Sequence, residues 1–422
     1  MSRSDEQRVQ LAGDLPMSSD DRDIHVSNLR TPHGASPSQG VTHTGGVRSA
    51  HQSRRAPAAA ALLALTLLVA AACSDSDPAP DSADPTASGS QVPSSLSSSA
   101  TAPRSPSASE TADTDPSETT STVPDPPHPI SVPALAAADL PGSDLVLGAV
   151  REQTAAFTSY DVTFAGTRNG RGTARMQLAG VLNVPTGRGP FPAVVLAHGY
   201  IDPAYYDRGQ GMTRERGYLA DRGYVALHVD YRNHAESTRD PRPEAAVRLG
   251  YSADVIAAAK ALTASADVAV DPDRIALFGR SMGGGVMMRA LEAEPDLFAT
   301  GVGWASISSL EGENFTHFQL SDTDVSALRA DIAGRYGFPE EDPEFWRGVS
   351  PRPYFDQITA PVLMVHGRFD STCPPRWARA TQRAMVRAGV DATLEWYDDE
   401  HAFGPEFNAA MQRTVRFLDN RM

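Results

Sequence analysis

The chain has 422 residues and a formal net charge of −15, enough length for one large domain or two ordinary ones. The acidic balance, with no basic cluster in the part that can fold, argues against nucleic acid as a partner. Two cysteines in the whole chain, Cys73 and Cys373, leave no room for a disulfide framework.

Residues 1–46 are polar, Ser- and Gly-rich and aperiodic, and read as a disordered or untranslated extension, with translation then starting near Val47. Residues 47–73 carry a basic stretch from Arg48 to Arg55, an apolar run from Ala56 to Ala72 made mostly of Ala and Leu, and the small residues Ala70-Ala71-Ala72 before Cys73. These are the three parts of an export signal, and the run is shorter than the roughly 20 apolar residues a spanning helix needs. The cysteine directly after the small residues resembles the bacterial lipoprotein signal, which implies a lipid anchor at Cys73; plain secretion or a retained signal anchor is the alternative. Residues 74–134 read as a disordered acidic Ser/Thr/Pro linker, because between 74 and 129 nine acids face the single base Arg104 and almost nothing is apolar.

The composition changes at about Leu135, and residues 135–422 read as one catalytic domain. Tyr160 to Phe164 and Met176 to Leu182 look like an antiparallel pair around a turn at Gly170-Arg171-Gly172. Short apolar runs of the doubly buried kind follow at 193–197, 225–229, 275–278, 301–304, 362–365 and 394–397. Helical stretches separate them, among them Ser252 to Ala264 and a last one carrying Phe407, Met411, Val415 and Leu418 on one face. Such alternation predicts an α/β fold, a mainly parallel sheet with helices on both faces.

The chemistry centres on Gly279-Arg280-Ser281-Met282-Gly283, which joins the run 275–278 to a helical stretch. Strand, sharp turn and helix are the context in which G-x-S-x-G marks a nucleophile elbow, so Ser281 is the candidate nucleophile. A phosphate loop would need Lys-Ser/Thr after its last glycine, and a dinucleotide turn would need glycine at position 281; neither is present. Asp370 and His401 also fall at the carboxyl ends of predicted strands, where such sheets bind ligands. The chain order Ser281, Asp370, His401 is the order expected on an α/β-hydrolase sheet. Gly199 ends the first parallel run, so the amides of Tyr200 and Met282 are the expected oxyanion donors, with His198 holding that loop through its ring. Cys373 reads as a buried filler.

The segments His198-Gly199-Tyr200, Leu219 to Ser237, Gly279 to Gly283, Val349-Ser350-Pro351, His366 to Asp370 and Glu400 to Phe403 together resemble the catalytic domain of the prolyl-oligopeptidase family, over about residues 155–420. The resemblance implies Ser281 as nucleophile, His401 as base and Asp370 as the acid that orients it. The sequence departs from the family at Asn233 and Ala235, where relatives usually have glycine, and at Tyr200, where many have a second one; no β-propeller precedes the domain.

Residues 306–350 make a long excursion before the next strand and read as a helical lid, with helices near 324–336 and 343–347. Trp304, Phe315, Phe318 and Trp346 are its candidate pocket aromatics, and packing of these rings on the sheet is the other reading. Arg280 is expected in a surface ion pair, or against a substrate carboxylate. Tyr205 or Tyr206 is a candidate extra donor to the oxyanion. No metal or organic cofactor is called for, since metal-ligand clusters and dinucleotide turns are missing from the sequence. The expected function is an exported serine hydrolase of the cell envelope, lipid-anchored to the outer face of the membrane, acting on a small ester or peptide. An inactive, surface-anchored binding protein on the same scaffold is the alternative.

Overall fold

The computed structural model describes residues 127–168, 175–241, 247–319 and 326–422. The export signal, Cys73, the linker up to residue 126, the turn at 170–172 and Asp324 lie outside the described residues. Among the described helices none is long and apolar enough to cross a membrane.

Among the described residues nine strands form one sheet: β1 (Ser143–Gln153), β2 (Phe157–Thr167), β3 (Arg175–Pro185), β4 (Phe191–Ala197), β5 (Val225–Asp230), β6 (Val270–Arg280), β7 (Thr300–Trp304), β8 (Val362–Gly367) and β9 (Ala392–Tyr397). Their order is β1-β2-β3-β5-β4-β6-β7-β8-β9. The first three strands and β5 pair antiparallel; every pair from β5 to β9 is parallel. Each of the six apolar runs became a parallel strand, and the expected hairpin pairs Tyr160 with Leu182. Strand β1 was not foreseen: its apolar stretch Leu145 to Val150 lies on an edge strand, and all but one of its residues are half-buried or exposed.

Alternation along each central strand feeds two cores, one on each face. Ala193, Val195 and Ala197 of β4 face a core shared with α3 (Leu249–Thr263) and α4 (Met282–Ala293), while Val194 and Leu196 face one shared with α2 (Thr213–Ala220) and α9 (Phe407–Arg421). Full burial of each valine or leucine among them stabilises the fold by roughly 1.5–3 kcal/mol. Helix α8 (Pro375–Arg387) covers β8 and β9.

Packing starts slightly before the boundary expected at residue 135. Helix α1 (Val132–Ala136) is capped by Ser131, whose Oγ accepts from the Ala134 amide at 3.1 Å, and Val132 and Ala134 are already buried. Between β7 and β8 the chain forms α5 (Glu311–Asn314), a π turn (Phe315–Gln319), α6 (Ser326–Tyr336), α7 (Pro343–Val349) and a 3-10 turn (Arg352–Gln357). Arg289 of α4 holds this excursion, donating to Glu311 at 2.5 Å and to the Val349 carbonyl at 3.2 Å.

Candidate active site

The elbow is built by steric exclusion. Ser281 takes φ 55° and ψ −119° between β6 and α4, a conformation that side-chain-bearing residues adopt only where the surroundings enforce it. A Cβ on Gly279 would lie 2.1 Å from the Gly283 carbonyl oxygen, and one on Gly283 would lie 1.9 Å from that of Ala197, so only glycine lets α4 leave the strand this sharply. The Ser281 amide donates to the Trp304 carbonyl at 2.9 Å, and its own carbonyl accepts from Gly284 at 2.9 Å and Ile307 at 3.2 Å.

Three side chains from three strand ends meet there. Ser281 Oγ lies 3.1 Å from His401 Nε2, and His401 Nδ1 lies 2.9 and 3.1 Å from the two oxygens of Asp370. Asp370 is fixed in turn by the amides of Thr372 at 3.0 Å and Cys373 at 2.7 Å. His366, at the end of β8, places Nε2 2.9 Å from the Cys373 carbonyl and 3.4 Å from Asp370; burial holds its pKa below the ordinary imidazole value.

The backbone opposite is that of residues 198–201. Gly199 presses on the nucleophile, since a Cβ there would stand 3.2 Å from Ser281 Cβ and 3.7 Å from Oγ; the next amide is that of Tyr200. Met282 opens α4, where helix N–H groups have no intrahelical partner. Buried rings grip the carbonyls of this loop one by one. Tyr231 Oη donates to His198 O at 3.0 Å, His198 Nδ1 to its neighbour Gly199 O at 2.6 Å, and His234 Nε2 stands 3.2 Å from Ile201 O. His198 thus holds the loop as expected; complete burial, and the neighbouring His234, keep its pKa far below the ordinary value, so the ring is neutral.

Arginines hold the loop that carries the base. Arg280 Nη2 donates to Ala402 O at 2.7 Å, and Arg214 donates to Ala402 O and Phe403 O at 2.9 and 3.0 Å. Arg280 is buried rather than on the surface, and its ion pair is with Glu215 of α2 at 3.2 Å. It faces inward because the elbow points the residue before Ser281 toward α2.

A chain of this kind can move a proton from serine to imidazole while the carboxylate orients the ring. Residues 211–422 match the model of the prolyl oligopeptidase family. The chain belongs to that family, and with it to the serine hydrolases. It is 28% identical to dipeptidyl aminopeptidase BIII of Pseudoxanthomonas mexicana over 229 residues, 52% of this chain and 32% of that protein. It is 28% identical to dipeptidyl peptidase 4 of Sus scrofa over 137 residues, 31% of this chain and 16% of that one. It therefore spans a third or less of the length of these curated relatives. The acetyl xylan esterase of Paenibacillus sp. R4 shares the fold, with a TM-score of 0.52, 19% identity, 69% of this chain and 92% of that chain.

Of the pocket aromatics expected at this prolyl-oligopeptidase-family site, Trp304 needs correction. Trp304 is no pocket residue: it is fully buried on the α9 side, its Nε1 donating to Thr414 at 3.1 Å and its ring packed on Phe403. Phe315 and Trp346 are buried against each other, ring centroids 4.7 Å apart, and with Phe318 they line one small cleft beside Val247 and Arg248. Half-buried Phe318 also packs in a small cluster with Ile307, Cys373 and Trp377. Tyr206 turns away from the oxyanion loop's open side, donating to Asp230 and lying 3.1 Å from His228 Nε2, while Tyr205 is exposed. Burial raises Asp230 to about 6. Sequence reasoning missed the grips of Arg280, Arg214, Tyr231 and His234; no local motif signals them. Cys373 is buried as expected, and it lies against the Ser281 hydroxyl.

Proposed function

We propose that the protein is an exported serine hydrolase that cleaves carboxylic esters or short peptides through an acyl-enzyme on Ser281. The observation that carries this reading is the unbroken line of hydrogen bonds from Asp370 through His401 to Ser281. Serine is too weakly acidic to attack a carbonyl alone. His401 Nε2 takes the proton as Oγ attacks, and Asp370 holds Nδ1–H and stabilises the imidazolium. The tetrahedral oxyanion sits between the amides of Tyr200 and Met282; loss of one such donor typically slows turnover by about 10²- to 10³-fold. His401 then returns the proton to the leaving group, and water, activated by the same ring, releases the acid. Both chemistries occur among the proteins this chain resembles, whose names include dipeptidyl peptidases and an acetyl xylan esterase. Export and a lipid anchor at Cys73 rest on the signal-like residues 47–73.

The test is covalent labelling of the full chain with a fluorophosphonate, together with turnover of p-nitrophenyl esters and of dipeptide p-nitroanilides. Labelling at Ser281, and loss of turnover in Ser281→Ala and His401→Ala, are the expected results. An unlabelled, inactive wild-type protein would leave the binding-protein alternative. Detergent phase partitioning of wild type against Cys73→Ser reads the anchor, and equal partitioning would leave plain secretion.

A further inference from the structure

The thiol of Cys373 has no part in the proton relay, yet it is fully buried against it. The side chain lies against the Ser281 hydroxyl. Its sulfur, one oxygen of Asp370 and one ring nitrogen of His401 lie within 4.8 Å of one another. A space-filling residue at this position would need only an apolar side chain, as its neighbours Ile307 and Trp377 show; sulfur adds a ligand to two that are already there.

Thiolate, imidazole and carboxylate are the ligand types that borderline and soft divalent cations select. Metal–ligand bonds of about 2.0–2.3 Å around a tetrahedral ion put the ligand atoms roughly 3.3–3.8 Å apart. The three atoms here reach that spacing by a side-chain adjustment of about 1 Å. We propose that Asp370, Cys373 and His401 form an inhibitory site for a thiophilic divalent cation such as Zn²⁺ or Cd²⁺. Entry is past Ser281, which is only half-buried. On binding, the S–H bond breaks, a sulfur–metal bond forms, and the proton leaves to solvent. Without metal the thiol takes no part in the hydrogen bonds from Asp370 through His401 to Ser281. With metal, the imidazole lone pair and the carboxylate are engaged, and His401 no longer takes the serine proton. Hard oxygen-seeking cations such as Mg²⁺ gain nothing from the thiol and are not expected to bind.

The inhibition rests on the function proposed above; the binding does not, so the two are read separately. In the full chain carrying Cys73→Ser, Cys373 is the one remaining thiol, and Cd²⁺ binding then appears as a cadmium–thiolate charge-transfer band in the ultraviolet. The band is expected at one equivalent, to persist in Ser281→Ala, and to be lost in Cys373→Val and in Cys373→Ala, the second being read should the first not fold. His401→Ala should weaken binding by about 10- to 100-fold. Cd²⁺ should inhibit ester turnover reversibly, EDTA restoring it, and Cys373→Val should need about 10- to 100-fold more cation for half-inhibition relative to its own uninhibited rate. Absence of the band in folded protein, equal Cd²⁺ affinity in His401→Ala, or equal inhibition of Cys373→Val would overturn the site. Binding without any hydrolase activity would keep the site and sink the function instead; turnover without binding would do the reverse.

Discussion

The guanidinium of Arg280, one residue before Ser281, donates at 2.7 Å to the carbonyl oxygen of Ala402, one residue after His401. The same group pairs with Glu215 at 3.2 Å, so one side chain ties together the elbow, α2 and the loop of the base. Arg280→Met would leave Glu215, 1% exposed, charged and unpaired, at a cost of about 3–5 kcal/mol. A large fall in melting temperature is expected, with turnover down about tenfold, since Arg214 still grips Ala402. Adding Glu215→Gln should restore much of the stability and little of the rate. Thermal melts and kcat of both variants check this; a double variant as fast as wild type would leave the arginine a purely structural role.

Tyr231→Phe tests the oxyanion loop from the other side. It removes the donor to His198 O and leaves a buried carbonyl unsatisfied, an effect of about 1–3 kcal/mol. Because the substrate never touches this hydroxyl, the expected result is kcat reduced by roughly 10-fold with KM little changed. A change confined to KM would place the ring at the binding step and contradict the arrangement described.

How far the site could be read beforehand depended on sequence distance. The elbow was legible because its glycines and serine are neighbours and their steric demand is local. The grips on the catalytic loops were not, since Arg280 meets partners 65 and 122 residues away and any arginine beside a serine looks the same in a sequence. Strand β1 was legible in Leu145 to Val150 and passed over. Trp304 was legible and misread: Gly301 and Gly303 face Met287 of α4, so alternation places Val302 and Trp304 on the opposite face, with α9. Counting by twos along β7 would have removed it from the pocket. Phe315 and Trp346 could not be sorted that way, because their excursion has no strand to set a face.

Ala235 and Asn233, both in places where relatives usually have glycine, behave oppositely. Both have positive φ, 44° and 72°. Alanine in that region costs about 1–2 kcal/mol, partly offset because glycine loses about 0.5–1 kcal/mol more on folding. Ala235→Gly should therefore stabilise the protein by about 0.5–1 kcal/mol, a rise of roughly 2 °C in melting temperature. Asn233 tolerates the region and its Oδ1 accepts from the Asp240 amide at 2.7 Å, so Asn233→Gly should destabilise. Melting curves of the two variants decide; shifts of the same sign would show that backbone strain is not what separates them.

Glu292 of α4 sets a pH dependence of stability. It is buried, and neither carboxylate oxygen has a hydrogen-bond partner among the described residues. Burial pushes its pKa well above the ordinary value, Asp356 adds to this, and Arg289, already engaged with Glu311, opposes it only in part. The folded state thus holds a proton that the unfolded chain releases at about pH 4.3. This group's contribution is fully present below that value and is lost as pH rises toward its folded pKa. Asp230, raised to about 6, acts with the same sign over about pH 4 to 6. Glu292→Gln removes the first contribution and leaves the second. Urea unfolding at about pH 4 and about pH 8 should therefore find the variant close to wild type in acid and more stable in base. A variant that lost stability equally at both would mean that the wild-type carboxyl is ionised and solvated, against the burial seen here.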